Sequence, residues 1–255
     1  MIRTLSCLGL ITISLFCAAQ NSSPKIKIEK PSVEAETSSV WCTINDYNFL
    51  ESQGYQIHLP KGDFIDSLIA KSKAGKFGNE DYSSIFRYLE DEVFNMNEYD
   101  SARVKVENRL EKINTLVSQL IQEKKNWNWY FKTFESYPIV FTLYGTGGSY
   151  DPDTGTITIL TNRIGNFMRY QDPTNTIIHE ITHMGIEYSI VQKYNLEHRL
   201  NERIVDTIVY LLFNEELPNY RIQSMGDTSI DALLKNKESL IDLDSLLNGF
   251  LDKRK

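Results

Sequence analysis

His179-Glu180-Ile181-Thr182-His183 pairs two histidines, four residues apart, with a glutamate beside the first. An α-helix turns about 100° per residue, so the two imidazoles stand one turn apart on one face. Histidines placed this way can close on a single Zn²⁺, while Glu180 reaches the metal's water as a general base. The flanking residues Ile177, Ile178, Ile181, Met184 and Ile186 are apolar. A buried helix requires that pattern and a solvated one does not.

A catalytic zinc needs a third protein ligand and one open position. Glu202 is the best placed: the chain has room to leave the first helix, turn near Asn195 and return on a second. Asp206, four residues further on the same face, can accept the free ring N–H of a zinc histidine and so fix its tautomer. Glu187 continues the histidine face, but three ligands from one straight helix would strain a tetrahedron, which suits it to bracing a ligand or to the cleft wall instead. His198 has suitable chemistry, yet it precedes the Asn201-Glu202-Arg203-Ile204-Val205-Asp206 run and has no partner at a useful spacing. The metzincin pattern wants Gly and His where this chain has Ile186 and Ser189, and is rejected.

HExxH followed by NExxxD resembles the signature of the gluzincins, the thermolysin-like clan of zinc metallopeptidases. The resemblance covers roughly Pro173 to Tyr210, a minority of the chain. It implies an α+β, helix-rich zincin-like domain with His179, His183 and Glu202 on zinc, Glu180 as base and a peptide or protein as substrate. Related enzymes use a Tyr or His as oxyanion donor, and Tyr194 stands where the pattern has a tyrosine, with Tyr210 and Tyr150 open as helpers. No histidine follows His198, so the histidine donor of the thermolysin group is missing here. Two other classes fit parts of the pattern: a zinc-binding protein without peptidase activity, and an exported binding or adhesion protein with an accidental HExxH. The intact Glu180 counts against the first, because a structural site has no use for a base. Bound metal separates the second.

The elements around the motif are read from periodicity. Asp172-Pro173 supplies a cap residue and a helix-starting proline ahead of the motif helix, expected to run to about Tyr194. The returning helix is expected over Leu196–Phe213. Ahead of them, Tyr137–Tyr144 and Thr156–Thr161 are rich in β-formers and flank a turn-forming stretch from Gly145 to Gly155. They predict a small antiparallel hairpin, one strand of which would hold an extended substrate by main-chain hydrogen bonds. Val106, Leu110, Ile113, Val117 and Leu120 predict one long amphipathic helix over Ser101–Lys125. Helices are also expected over Asp63–Lys73 and Asn79–Phe94, a weak strand around Tyr55–Leu59, and short covering helices over Ile230–Leu234 and Glu238–Leu251. Trp127, Trp129, Tyr130 and Phe131 read as core plugs.

The start, Met1-Ile2-Arg3 with an apolar run to Ala19, has the form of a secretory signal peptide over residues 1–19. The expected destination is secreted or periplasmic. Bulky Phe16 before Cys17 disfavours a lipoprotein. Residues 20–39, rich in Ser, Pro, Glu and Lys, are expected to be a flexible linker, and 40–255 a single metallopeptidase domain. Past the signal peptide only Cys42 remains of three cysteines, so no intramolecular disulfide is expected there. A formal charge of −7 argues against nucleic acid or an anionic membrane as partner. Oligomeric state is not legible.

Overall fold

Lys25-Ile26-Lys27-Ile28 alternates charged and apolar side chains, and it forms the edge strand β1 (Lys25–Ile28) with Ile26 turned into the core. Helix α1 (Val33–Asn45) follows at once, capped by Ser32 accepting from the Ala35 N–H, with Glu34 and Glu36 in its first turn. The flexible linker expected over residues 20–39 is therefore corrected from Lys25 onward: alternation and a helix cap outweigh its polar composition. The computed structural model describes residues 24–168, 171–224 and 226–254. The expected signal peptide lies outside these residues.

The fold is α+β and helix-rich. After α1 come α2 (Tyr47–Ser52), α3 (Asp63–Lys73), α4 (Tyr82–Tyr88), α5 (Asp100–Glu107) and α6 (Leu110–Glu123). Then follow β2 (Ser136–Thr142), β3 (Gly148–Tyr150), β4 (Ile157–Leu160), α7 (Pro173–Ile186), α8 (His198–Phe213) and α9 (Leu243–Asp252). The expected single helix over Ser101–Lys125 breaks at Asn108–Arg109, where Arg109 N–H bonds the Val106 carbonyl in a tightened turn.

The four-stranded sheet has the order β1-β2-β4-β3. The expected hairpin between β2 and β4 does not exist, because these two strands run parallel in register from Ile139↔Ile157 to Thr142↔Leu160. The glycine-rich connection instead carries the chain to the far edge, where β3 descends antiparallel to β4. The hairpin is β3–β4, turned by Asp151, whose carboxylate accepts from the Asp153 and Thr154 N–H groups. Parallel neighbours need a crossover of about a dozen residues, and the segment that reads as one long turn provides it.

Two hydrophobic cores result. The larger joins α6, α7 and α8 to one face of the sheet, through residues such as Leu120, Phe141, Ile159, Ile178, Met184 and Ile208. Trp127 and Phe131 belong to it as expected, whereas Tyr130 is exposed. The smaller packs α1, α3 and α4 around Val40, Ile44, Ile65, Leu68 and Ile85. Leu143 touches both. Buried Glu36 helps join them, accepting from the Tyr99 and Thr142 hydroxyls and the Leu143 N–H. A carboxylate so deep is tolerated only because its oxygens are met in this way. Among the described residues no helix is long and apolar enough to cross a membrane.

Candidate metal centre

Every residue of α7, from Pro173 to Ile186, is buried. Its start is fixed by Asp172, whose side chain accepts from the Thr174 N–H, with Pro173 as the first helical residue. Its tight packing shows at Gly185, where a Cβ would sit 1.9 Å from the Phe131 ring. Beyond Ile186 the helix widens into a π-helical turn over Glu187–Gln192. The chain then reverses at Asn195, left-handed with φ 48°, and returns as α8. The turn falls where the sequence places it.

This return brings His179, His183 and Glu202 together. The two Nε2 atoms are 3.0 Å apart. Glu202 Oε2 lies 3.5 Å from His179 Nε2, and its Oε1 lies 3.3 Å from His183 Nε2. Ligands about 2.0–2.1 Å from a tetrahedral ion stand about 3.3–3.4 Å from one another. The separations are close to that spacing, with the two carboxylate oxygens of Glu202 each facing one histidine, and all three residues are buried. The group can therefore hold a metal ion, and its nitrogen and oxygen donors fit zinc.

Charge is balanced within the cluster. Burial favours the neutral imidazole of His179, but hydrogen bonds to Asp206 and Glu202 outweigh it and raise its pKa to about 10. Burial also penalises ionised Glu202, yet the two histidines overcome this and hold it well below the usual carboxylate range. The pocket is thus built to surround positive charge, whether proton or metal ion.

Asp206, fully buried, lies 3.2 Å from His179 Nδ1. Tyr220 joins them: its hydroxyl is 2.7 Å from His179 Nδ1 and donates to Asp206 Oδ1. This arrangement keeps a proton of His179 on Nδ1 and leaves Nε2 facing Glu202 and His183, where it would give up its own proton to ligate a metal ion. Gln223 completes the brace, its backbone N–H on Asp206 and its side-chain amide on Glu202 Oε2. Asp206→Ala is expected to weaken zinc affinity about 10- to 100-fold while the protein stays folded, as read by competition against a chelator of known affinity. Unchanged affinity would show that the brace does not orient His179.

Glu180 lines the cavity of about 250 Å³ above the cluster, with His179, His183, Glu202, Phe49, Tyr55 and β3. Strand β3 comes so close that a Cβ on Gly148 would lie 2.2 Å from Glu180 Oε1. Gly148→Ala must therefore displace Glu180 or the strand. Its metal content by elemental analysis should be unchanged, because the atoms nearest that Cβ belong to Glu180 and Thr176 and not to the three clustered residues.

Other sequence expectations are sorted by the same geometry. Tyr194 is corrected: its hydroxyl donates to the carbonyl and carboxylate of Asp244 at the start of α9, and it does not line the cavity. The expectation rested on the resemblance, and no local spacing fixed where this side chain points. Tyr210 is exposed on α8. Tyr150 is at the site, its ring stacked on His183 with centroids 5.0 Å apart and its hydroxyl donating to Glu187. Glu187 does not line the cavity and touches the site through Tyr150. His198 sits on the cavity wall, Nε2 2.6 Å from the Tyr55 hydroxyl and Nδ1 3.9 Å from Glu202 Oε1. Sequence reasoning missed Tyr55, Tyr220 and Gln223. No spacing tied them to the motif; only the returning fold does.

No protein-family model, curated protein or solved structure matches this chain.

Proposed function

We propose that this chain is an exported zinc-dependent metallopeptidase of the gluzincin type, cleaving peptide bonds in a peptide or protein. The carrying observation is the buried His179–His183–Glu202 cluster, whose donor atoms converge closely enough to hold a metal ion, set beside a glutamate that the cluster does not use. Bound there, zinc supplies Lewis acidity to a water molecule and to the scissile carbonyl. Glu180 takes the proton of the attacking water and passes it to the leaving amine. Asp206 and Tyr220 keep His179 in the ligating tautomer. The outer edge of β3 offers main-chain groups to an extended substrate. Tyr55 and His198, hydrogen-bonded to each other on the cavity lining, would serve the developing oxyanion in place of Tyr194.

Export rests on the form of residues 1–19. The test of the whole reading is elemental analysis of purified protein beside a peptide-library digest with and without chelator. Stoichiometric zinc and chelator-sensitive cleavage support it. Zinc without cleavage would favour a binding protein, and absence of zinc an accidental motif.

A further inference from the structure

A second cavity, of about 480 Å³, adjoins the metal cavity on the other side of β3. The two share Leu50 and the segment Thr146–Ser149 as a common wall. The second lies between α1 and the sheet face turned away from α7. The sheet register defines that face: Val140 pairs with Thr158, and Thr158 with Ser149. All three line the cavity. The neighbouring rows, Ile139–Ile157–Tyr150 and Phe141–Ile159–Gly148, point to the α7 side.

We propose that this cavity takes a basic side chain, lysine or arginine, of a peptide lying along the outer edge of β3. The inference rests on the peptidase reading above and specifies its substrate. A strand added to that edge continues the register. Its alternate side chains then point toward α7 and the metal, and the intervening ones over the second cavity.

The chemistry of the walls selects which side chain is accepted. The lining holds two carboxylates, Asp46 and Asp151, and no Lys, Arg or His. Asp46 is exposed at the end of α1, where Asn45 donates to it. Asp151 is held ionised below the usual carboxylate range by hydrogen bonds from the Thr154 side chain and the Asp153 and Thr154 backbone. Lys132 also lowers it, but its ammonium is bound to the Pro152 carbonyl and does not line the cavity. The remaining walls mix hydroxyl-bearing Ser39, Thr146 and Thr158 with apolar Leu50, Val140 and Tyr144. The hydroxyls offer hydrogen bonds to an ammonium or guanidinium, and the apolar walls take the methylene stem of the same side chain. A glutamate would meet like charge from Asp46 and Asp151.

The test uses the full zinc-loaded chain and extended peptides that differ only in one Lys, norleucine or Glu moved along the sequence. At one position Lys should raise kcat/KM about 2- to 5-fold over norleucine and Glu should lower it, the scale of a partly exposed ion pair. Asp46→Lys should reverse the order of Lys and Glu there. A readout independent of turnover comes from Cys42, the free thiol on the same wall. In zinc-loaded Glu180→Gln protein, the Lys peptide should protect Cys42 from alkylation, followed by mass spectrometry, at lower concentration than the norleucine peptide. Equal protection by both, or a Lys preference that survives Asp46→Lys unchanged, would overturn the proposal. If no peptide is cleaved by zinc-loaded protein the peptidase reading fails, and Cys42 protection alone then decides whether the cavity binds a basic chain.

Discussion

Glu180→Gln is expected to keep its zinc and to lose peptide hydrolysis on the order of 1000-fold or more. Glutamine matches glutamate in size and shape but cannot accept the proton of an attacking water. The metal should stay because Glu180 is not one of the three residues whose donor atoms converge on the tetrahedral position. Its place is beside them, on the wall of the metal cavity and against Gly148 of β3. Metal content and kcat/KM on an internally quenched peptide, taken from one preparation, separate the two effects. Loss of zinc in this variant would make Glu180 a ligand. Wild-type hydrolysis would remove the general base from the mechanism, and with it the reason for preferring a peptidase to a binding protein.

The parts of this site that could be read from the sequence are those set by local spacing. The four-residue step from His179 to His183, the cap at Asp172-Pro173 and the four-residue step from Glu202 to Asp206 are properties of helices, and the helices formed. The turn at Asn195 was legible because asparagine tolerates the left-handed conformation. Strand β3 was not legible: Gly148-Ser149-Tyr150 has little strand propensity, and it is a strand only because β4 lies beside it. The same tertiary dependence hid the parallel pairing of β2 and β4. Lys25–Ile28 was masked differently, its short alternation lying inside a stretch whose overall composition is polar. Tyr194 was placed by the resemblance alone, and here its hydroxyl is taken up by Asp244. Tyr220 and Gln223 carry no periodicity at all. They reach the site because the chain beyond α8 folds back over Asp206.

Removing a ligand should behave unlike removing the base. Glu202→Gln replaces a charged donor by a neutral amide oxygen, a poor ligand for Zn²⁺, and His179→Ala or His183→Ala removes a nitrogen outright. Each variant is expected to fall from about one bound zinc to almost none, and to lose the rise in melting temperature that added zinc gives the parent protein. Hydrolysis should vanish with the metal. Glu202→Gln has a second consequence. Glu202 and Asp206 together balance the positive charge on His179, so the variant leaves a buried imidazole with one carboxylate where it had two. Its stability without zinc should therefore drop as well, by about 1–3 kcal/mol, the usual cost of stripping a buried polar group of its partner. His183→Ala removes a group whose Nδ1 has no hydrogen-bond partner among the described residues, so it should lose zinc with a smaller loss of metal-free stability. Chemical unfolding of the chelated proteins measures that difference. If Glu202→Gln kept full zinc and activity while a change at Glu187 or His198 abolished both, the third ligand would lie elsewhere and the gluzincin reading would fail, with the HExxH pair still standing.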